Sequence, residues 1–192
     1  MIQNLSVYIK TVNGFYLTAV NGGGVGPIAG QASVALYSNG TQAQALVRGP
    51  ESFQLVPIAG GQYAIQTITG NYVTAVNGGG IGGPNDGSSP FHTDQVKPDG
   101  WELFILSQIP GFSGSATQPI VSIGMMTLSG WSFVGPFGFP FPTFTTNFIT
   151  AQNGGNVNNP ANGPIHTDAT KIGQWETFTL INPATGGVVV FS

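Results

Sequence analysis

Phe15-Tyr16-Leu17-Thr18-Ala19-Val20-Asn21-Gly22-Gly23-Gly24 returns as Asn71-Tyr72-Val73-Thr74-Ala75-Val76-Asn77-Gly78-Gly79-Gly80. It comes a third time as Asn147-Phe148-Ile149-Thr150-Ala151-Gln152-Asn153-Gly154-Gly155. A strand-like stretch precedes each copy and ends on an equivalent threonine, Thr11, Thr67 or Thr127. A second block follows each copy, around Glu51-Ser52-Phe53, Trp101-Glu102-Leu103-Phe104 and Trp175-Glu176-Thr177-Phe178. Three units therefore cover about 4–58, 60–108 and 118–183, within one domain spanning 1–192. Inside them β-branched and aromatic residues alternate with polar ones, as in Ser6-Val7-Tyr8-Ile9-Lys10-Thr11, the period of a half-buried strand. Asn-Gly pairs beginning at Asn13, Asn21, Asn39, Asn77, Asn153 and Asn162 supply the positive φ angles of tight turns. One such unit cannot bury its apolar face alone, so three imply an all-β barrel with pseudo-threefold symmetry.

Composition narrows the function. The 192 residues carry four cations and seven carboxylates, 6% charged, with 30 glycines, 14 prolines and 41% hydrophobic residues. Four cations cannot track a phosphate backbone, which excludes a nucleic-acid surface. Cysteine is absent, and with it disulfides, thiolate metal sites and cysteine nucleophiles. The uncharged run from Leu103 to Thr167 is broken throughout by glycine and proline, so no spanning helix is expected. Met1 to Lys10 shows no secretory signal, so the expectation is a cytoplasmic chain, one exported by another route, or a sequence trimmed at its start.

The repeated Tyr-Leu/Val-Thr-Ala, Asn-Gly-Gly and Trp-Glu-x-Phe blocks resemble the fascin-like (actin-crosslinking-like) branch of the β-trefoil fold. The resemblance spans nearly the whole chain and implies a β-trefoil. The superfamily includes actin-bundling proteins, sugar-binding modules of glycoside hydrolases, lectins and protease inhibitors, so the fold alone does not select an activity. Actin bundling needs two binding surfaces with a charged component, and a single trefoil with four cations is a poor candidate.

Two segments break the pattern. In the third repeat Leu128 and Phe148 are 20 apart, where Val12 and Tyr16 are 4 apart, which marks an insertion over 131–146. It carries Trp131, Phe133, Phe137, Phe139, Phe141 and Phe144 without a charge. These residues either fold back over the barrel or form an aromatic surface for a partner, a lipid interface or a second copy. The tail over 187–192, Val-rich after Gly187, is expected to pair with the N-terminal strand and close the barrel; the alternative is an edge strand shared between subunits.

The candidate chemistry is also repeated. Glu51, Glu102 and Glu176 are equivalent, as are His92-Thr93-Asp94 and His166-Thr167-Asp168; repeat one shows Thr41-Gln42-Ala43 at the aligned positions and Pro50 in place of tryptophan. Equivalent carboxylates in a threefold fold lie about 120° apart, whereas a glycosidase pair must sit within about 5–10 Å. No catalytic residues, cofactor or metal site are expected, because no asymmetric acid–base set or four-ligand cluster can be assembled. The glutamates are expected to accept backbone N–H groups in turns.

The remaining functional pattern is a shallow carbohydrate site, which needs an aromatic face and polar groups beside it. Asn77, His92, Asp94 and Trp101, with Asn153, His166, Asp168 and Trp175, supply both in two repeats. The alternation of Trp101 and Trp175 with Leu103 and Thr177 also fits packing in the lower layer of the barrel, which burial preference favours. The expectation is a non-enzymatic lectin-like module for neutral glycans. The alternative is a self-assembling structural protein, a homo-oligomer using the insertion and tail as contacts.

Overall fold

A computed structural model describes residues 4–27, 35–41, 49–82, 89–109, 122–129, 145–157 and 164–189. Twelve strands form one sheet: β1 (Leu5–Thr11), β2 (Tyr16–Ala19), β3 (Leu36–Gly40), β4 (Ser52–Pro57), β5 (Gln62–Thr67), β6 (Tyr72–Ala75), β7 (Phe91–Gln95), β8 (Leu103–Ile109), β9 (Ser122–Ser129), β10 (Thr145–Ala151), β11 (Ile165–Ala169) and β12 (Thr177–Ile181). The outer strands of each repeat pair in a ring, β1–β4–β5–β8–β9–β12 and back to β1, every pair antiparallel. The inner strands make three hairpins, β2–β3, β6–β7 and β10–β11. Closing the ring removes the exposed edges that an open sheet would leave. The chain is all-β and trefoil-like, with threefold internal repetition.

The core is assembled from threefold sets. Phe53, Phe104 and Phe178 are buried at one level, and Leu17, Val73 and Ile149 at another. Ala19, Ala75 and Ala151 are joined by Leu36, Phe91 and Ile165 from the facing hairpin strands. Each repeat therefore supplies one side chain per layer, which is why no repeat has a core of its own.

The repeats also interlock cyclically. After each second strand the chain passes through Asn21, Asn77 or Asn153 at φ 54°, 56° and 54°, the left-handed region that asparagine tolerates. The glycines that follow press against the next repeat. The Gly24 N–H donates to the Thr93 carbonyl (2.6 Å), and the Thr93 N–H returns a bond to the Val25 carbonyl (2.8 Å). Gly80 and Ile81 do the same with Thr167 (2.7 and 2.9 Å), and the Asn156 N–H donates to the Ser38 carbonyl (2.6 Å).

Two expectations fall only partly on described residues. Along Tyr8↔Ile181 to Thr11↔Phe178 the partner of β1 is β12. At Asn182 the side-chain Oδ1 accepts the Ala184 N–H (2.8 Å), and the chain reverses so that Val188 bridges Ile181 of β12. Residues 190–192 lie outside the described residues. Of the insertion expected over 131–146, the described residues Thr145 and Thr146 belong to β10 and pair with Ser129 and Leu128, lengthening the β9–β10 ladder beyond its counterparts. Trp131, Phe133, Phe137, Phe139, Phe141 and Phe144 lie outside the described residues.

Candidate functional site

The register of the three hairpins fixes which residues are equivalent. Thr74 stands opposite His92, Thr150 opposite His166, and Thr18 opposite Tyr37. Repeat one therefore matches the His-Thr-Asp triplets with Tyr37-Ser38-Asn39, not with Thr41-Gln42-Ala43. Counting back from Glu51 without a gap misplaces the triplet because the connection from β3 to Glu51 is four residues longer than that from β7 to Glu102. The first repeat keeps an aromatic ring, a hydroxyl and an amide.

Within each triplet the middle residue is a structural bolt. Thr93, Thr167 and Ser38 are all fully buried. The Thr93 and Thr167 hydroxyls also accept the Val25 and Ile81 N–H groups, at 3.1 and 3.2 Å. Asn77 and Asn153, expected to offer side chains to a ligand, mainly carry the left-handed turn. Their side chains are exposed, and they belong to different seams from the triplets of their own repeats. The loop of Asn77 meets Thr167, and that of Asn153 meets repeat one, where its carbonyl accepts the Asn13 amide (2.8 Å).

The outer members of the two triplets differ. His166 Nδ1 contacts Asp168 Oδ1, and its Nε2 lies 3.0 Å from Gln152 Oε1. Asp168 remains 48% exposed. In repeat two the position of Gln152 is taken by Val76, which offers no acceptor. Asp94 is half-buried: a Cβ on Gly26 would fall 2.6 Å from its Oδ2, so the repeat-one loop covers it. Burial holds His92 below the ordinary histidine range, and the Asp94 charge opposes the shift only in part.

His92 is therefore neutral in the fold at pH 7, and the unfolded chain binds its proton more readily. Stability linked to this residue is complete above the unfolded pKa of about 6.5 and is lost as the pH falls from there towards the lowered native value. An imidazole NMR titration should place the His92 midpoint below 6.5, and His92→Gln should reduce the loss of thermal stability between pH 7.5 and pH 5. A His92 midpoint at or above the unfolded value would contradict this assignment.

The tryptophans settle the open question of packing. Trp101 and Trp175 are 48% and 42% exposed and do not fill the barrel. Strand alternation does not apply to Trp101, because Gly100–Glu102 is a single 3-10 turn. Its glutamate points inward: Glu102 accepts the Thr74 hydroxyl (2.7 Å) and the Asp99 N–H (2.8 Å), while the tryptophan before it faces out. Glu176 does the same with Thr150 (2.8 Å) and the Gly173 N–H (2.7 Å). Asp99 completes a capping box with Glu102, so Trp101 stands on a doubly bonded turn.

Trp101 lines an open recess of about 380 Å³ with Gln95, Asp99, Gly100 and Glu102. His92 and Asp94 do not belong to it, so the aromatic surface and the triplet are not one site. Gln95 and Asp99 belong to no repeated block, with Ala169 and Gly173 at the aligned positions of the third repeat, so the repeat pattern carries no signal for them. Among the described residues no group of three or more metal-binding side chains occurs, and no helix is long and apolar enough to cross a membrane.

A closed six-strand ring with three hairpins, repeated in threes, defines a trefoil-like protein with two equivalent exposed tryptophans. No family model and no curated protein sequence matches the chain. Among solved structures it is similar to a designed threefold-symmetric protein, ThreeFoil, with a TM-score of 0.56 over 91% of this chain and 96% of that one. Their sequences are 8% identical, so the likeness is one of fold alone.

Proposed function

We propose that this protein is a non-enzymatic carbohydrate-binding module of the fascin-like branch of the β-trefoil fold, recognising neutral glycans at shallow sites centred on Trp101 and Trp175. The observation that carries this reading is the exposure of both rings at equivalent positions, each on a turn anchored by a buried glutamate. A large aromatic face held out to water at 48% exposure is a stacking surface for the C–H face of a sugar ring. At Trp101 the polar partners are Gln95 and Asp99. Asp94, covered by Gly26, contributes to the seam instead. Two equivalent sites favour surfaces that display many copies of one sugar.

The double variant Trp101→Ala/Trp175→Ala should lose capture by a neutral-glycan array. Each single variant should weaken binding of a monovalent oligosaccharide at its own site by about 30-fold, the roughly 2 kcal/mol typical of a truncated hot-spot aromatic. Thermal midpoints should move little, since both rings are exposed. Undiminished capture by the folded double variant would sink the reading. Large assemblies in light scattering that vanish on deletion of 131–144, with no glycan captured, would favour the self-assembling alternative.

A further inference from the structure

A second concavity lies on the barrel wall, away from both tryptophans. It has a volume of about 590 Å³, within the range of small-ligand sites, and runs across β1, β4 and β5 beneath the turn at Asn182–Ala184. The register sets Ser6 opposite Gln54 and Gln54 opposite Gln66, one row of side chains perpendicular to the strands. Neighbours in such a row are about 4.7–4.9 Å apart. We infer that this groove is a binding site for an uncharged oligosaccharide, distinct from the tryptophan sites.

The chemistry of the walls selects the ligand. No charged side chain lines the groove among the described residues. A phosphate, carboxylate or ammonium would shed water there without gaining a counter-charge. A purely apolar ligand would strand the hydroxyls and amides. Gln66 Nε2 is engaged by the Gly70 carbonyl (2.9 Å), which leaves its Oε1 to accept. The Ser52 hydroxyl is shielded from water and has no hydrogen-bond partner among the described residues. Ile68, 41% exposed, and Pro183 supply apolar faces beside these groups. The backbones of β1, β4 and β5 are paired to one another, so an extended peptide finds no free strand edge here. A neutral ligand with many hydroxyls and C–H faces satisfies each of these conditions.

Asymmetry singles out the groove from its symmetry mates. The corresponding row on the second wall is Gln62–Ile105–Met126, and on the third Ser122–Thr179–Lys10. One has two apolar members and the other a cation. Ser6, Gln54 and Gln66 lie outside the core, so the Gln54 amide and the Gln66 Oε1 can serve a ligand.

The test follows the Gln54 and Gln66 side-chain amide resonances of the full chain during titration with cellohexaose, maltohexaose and N-acetylchitohexaose, with hexagalacturonate as the charged counterpart. At least one neutral hexasaccharide should shift both amides. Its affinity at this site should fall at least tenfold in Gln54→Leu/Gln66→Leu and hold in Trp101→Ala/Trp175→Ala. Ser6→Leu, at the far end of the row, serves if the double glutamine variant is unstable. The inference is overturned if none of the three neutral probes shifts these amides. Binding that survives the glutamine and serine variants, or equal binding of hexagalacturonate, overturns it as well. Because the tryptophan variants are read in parallel, failure of the groove and failure of the tryptophan sites are distinguishable.

Discussion

Gly23→Ala is expected to destabilise the fold by about 3 kcal/mol or more, combining backbone strain of about 1–3 kcal/mol with overpacking of similar size. Gly23 has φ 119° and ψ −177°, a region essentially reserved for glycine. A Cβ there would overlap the Thr67 hydroxyl, and would lie 2.6 Å from Thr69 Oγ1 and 2.8 Å from Thr67 Cβ. Thr67 and Thr69 belong to the next repeat, so the methyl would be driven into the seam. Gly155→Ala should behave alike, with φ 111° and a Cβ 2.5 Å from Thr11 Oγ1. Gly60→Ala is the control: its φ of 77° is also left-handed, but nothing lies within 4 Å of the added carbon. It should cost only about 1–2 kcal/mol. In thermal melts the first two variants should drop by about 6–12 °C, taking 2–4 °C per kcal/mol for a chain of this size. Equal losses for Gly23→Ala and Gly60→Ala would show that the seam contributes no steric constraint.

Glu102→Ala should be nearly as damaging. Glu102 is buried, and it is the acceptor for both the Thr74 hydroxyl and the Asp99 N–H. Its removal orphans two donors at about 1–3 kcal/mol each, so a loss of about 3 kcal/mol is expected. Glu176→Ala should match it, having the same two partners in Thr150 and Gly173. Glu51 has a single longer contact among the described residues, 3.4 Å from the Thr18 hydroxyl, and Glu51→Ala should cost less. Denaturant unfolding of the three variants tests the order. Because Trp101 rides on the turn that Glu102 ties down, Glu102→Ala should also alter tryptophan emission. Equal losses at Glu51 and Glu102 would mean that the paired bonds are not what stabilises these turns.

Local pattern was enough for the repeats and for the backbone N–H groups that Glu102 and Glu176 accept; Glu51 shows only the Thr18 hydroxyl among the described residues. The triplet of repeat one was misaligned because a four-residue difference in loop length leaves no mark in composition; the pairing of Thr18 with Tyr37 resolves it. The tryptophans were undecidable for a different reason. Whether Trp101 faces in or out depends on whether residues 100–102 are strand or turn, and the turn is held by Thr74, 28 positions from Glu102. The described part of the tail lies against β12 because the chain reverses at Asn182, a turn held by that side chain which the valine run after it does not announce.

Threefold recurrence of apolar positions, with asparagine and glycine at the turns, determined by itself that the chain is all-β and closes only as a set of three. These are short-range requirements of strand period and backbone φ, and each repeat states them independently. Which side chains meet across strands and seams was decided only by the tertiary structure. Ser6, Gln54 and Gln66 share one row because of barrel register, a relation between distant segments in which a slip of one residue would send each side chain to the opposite face.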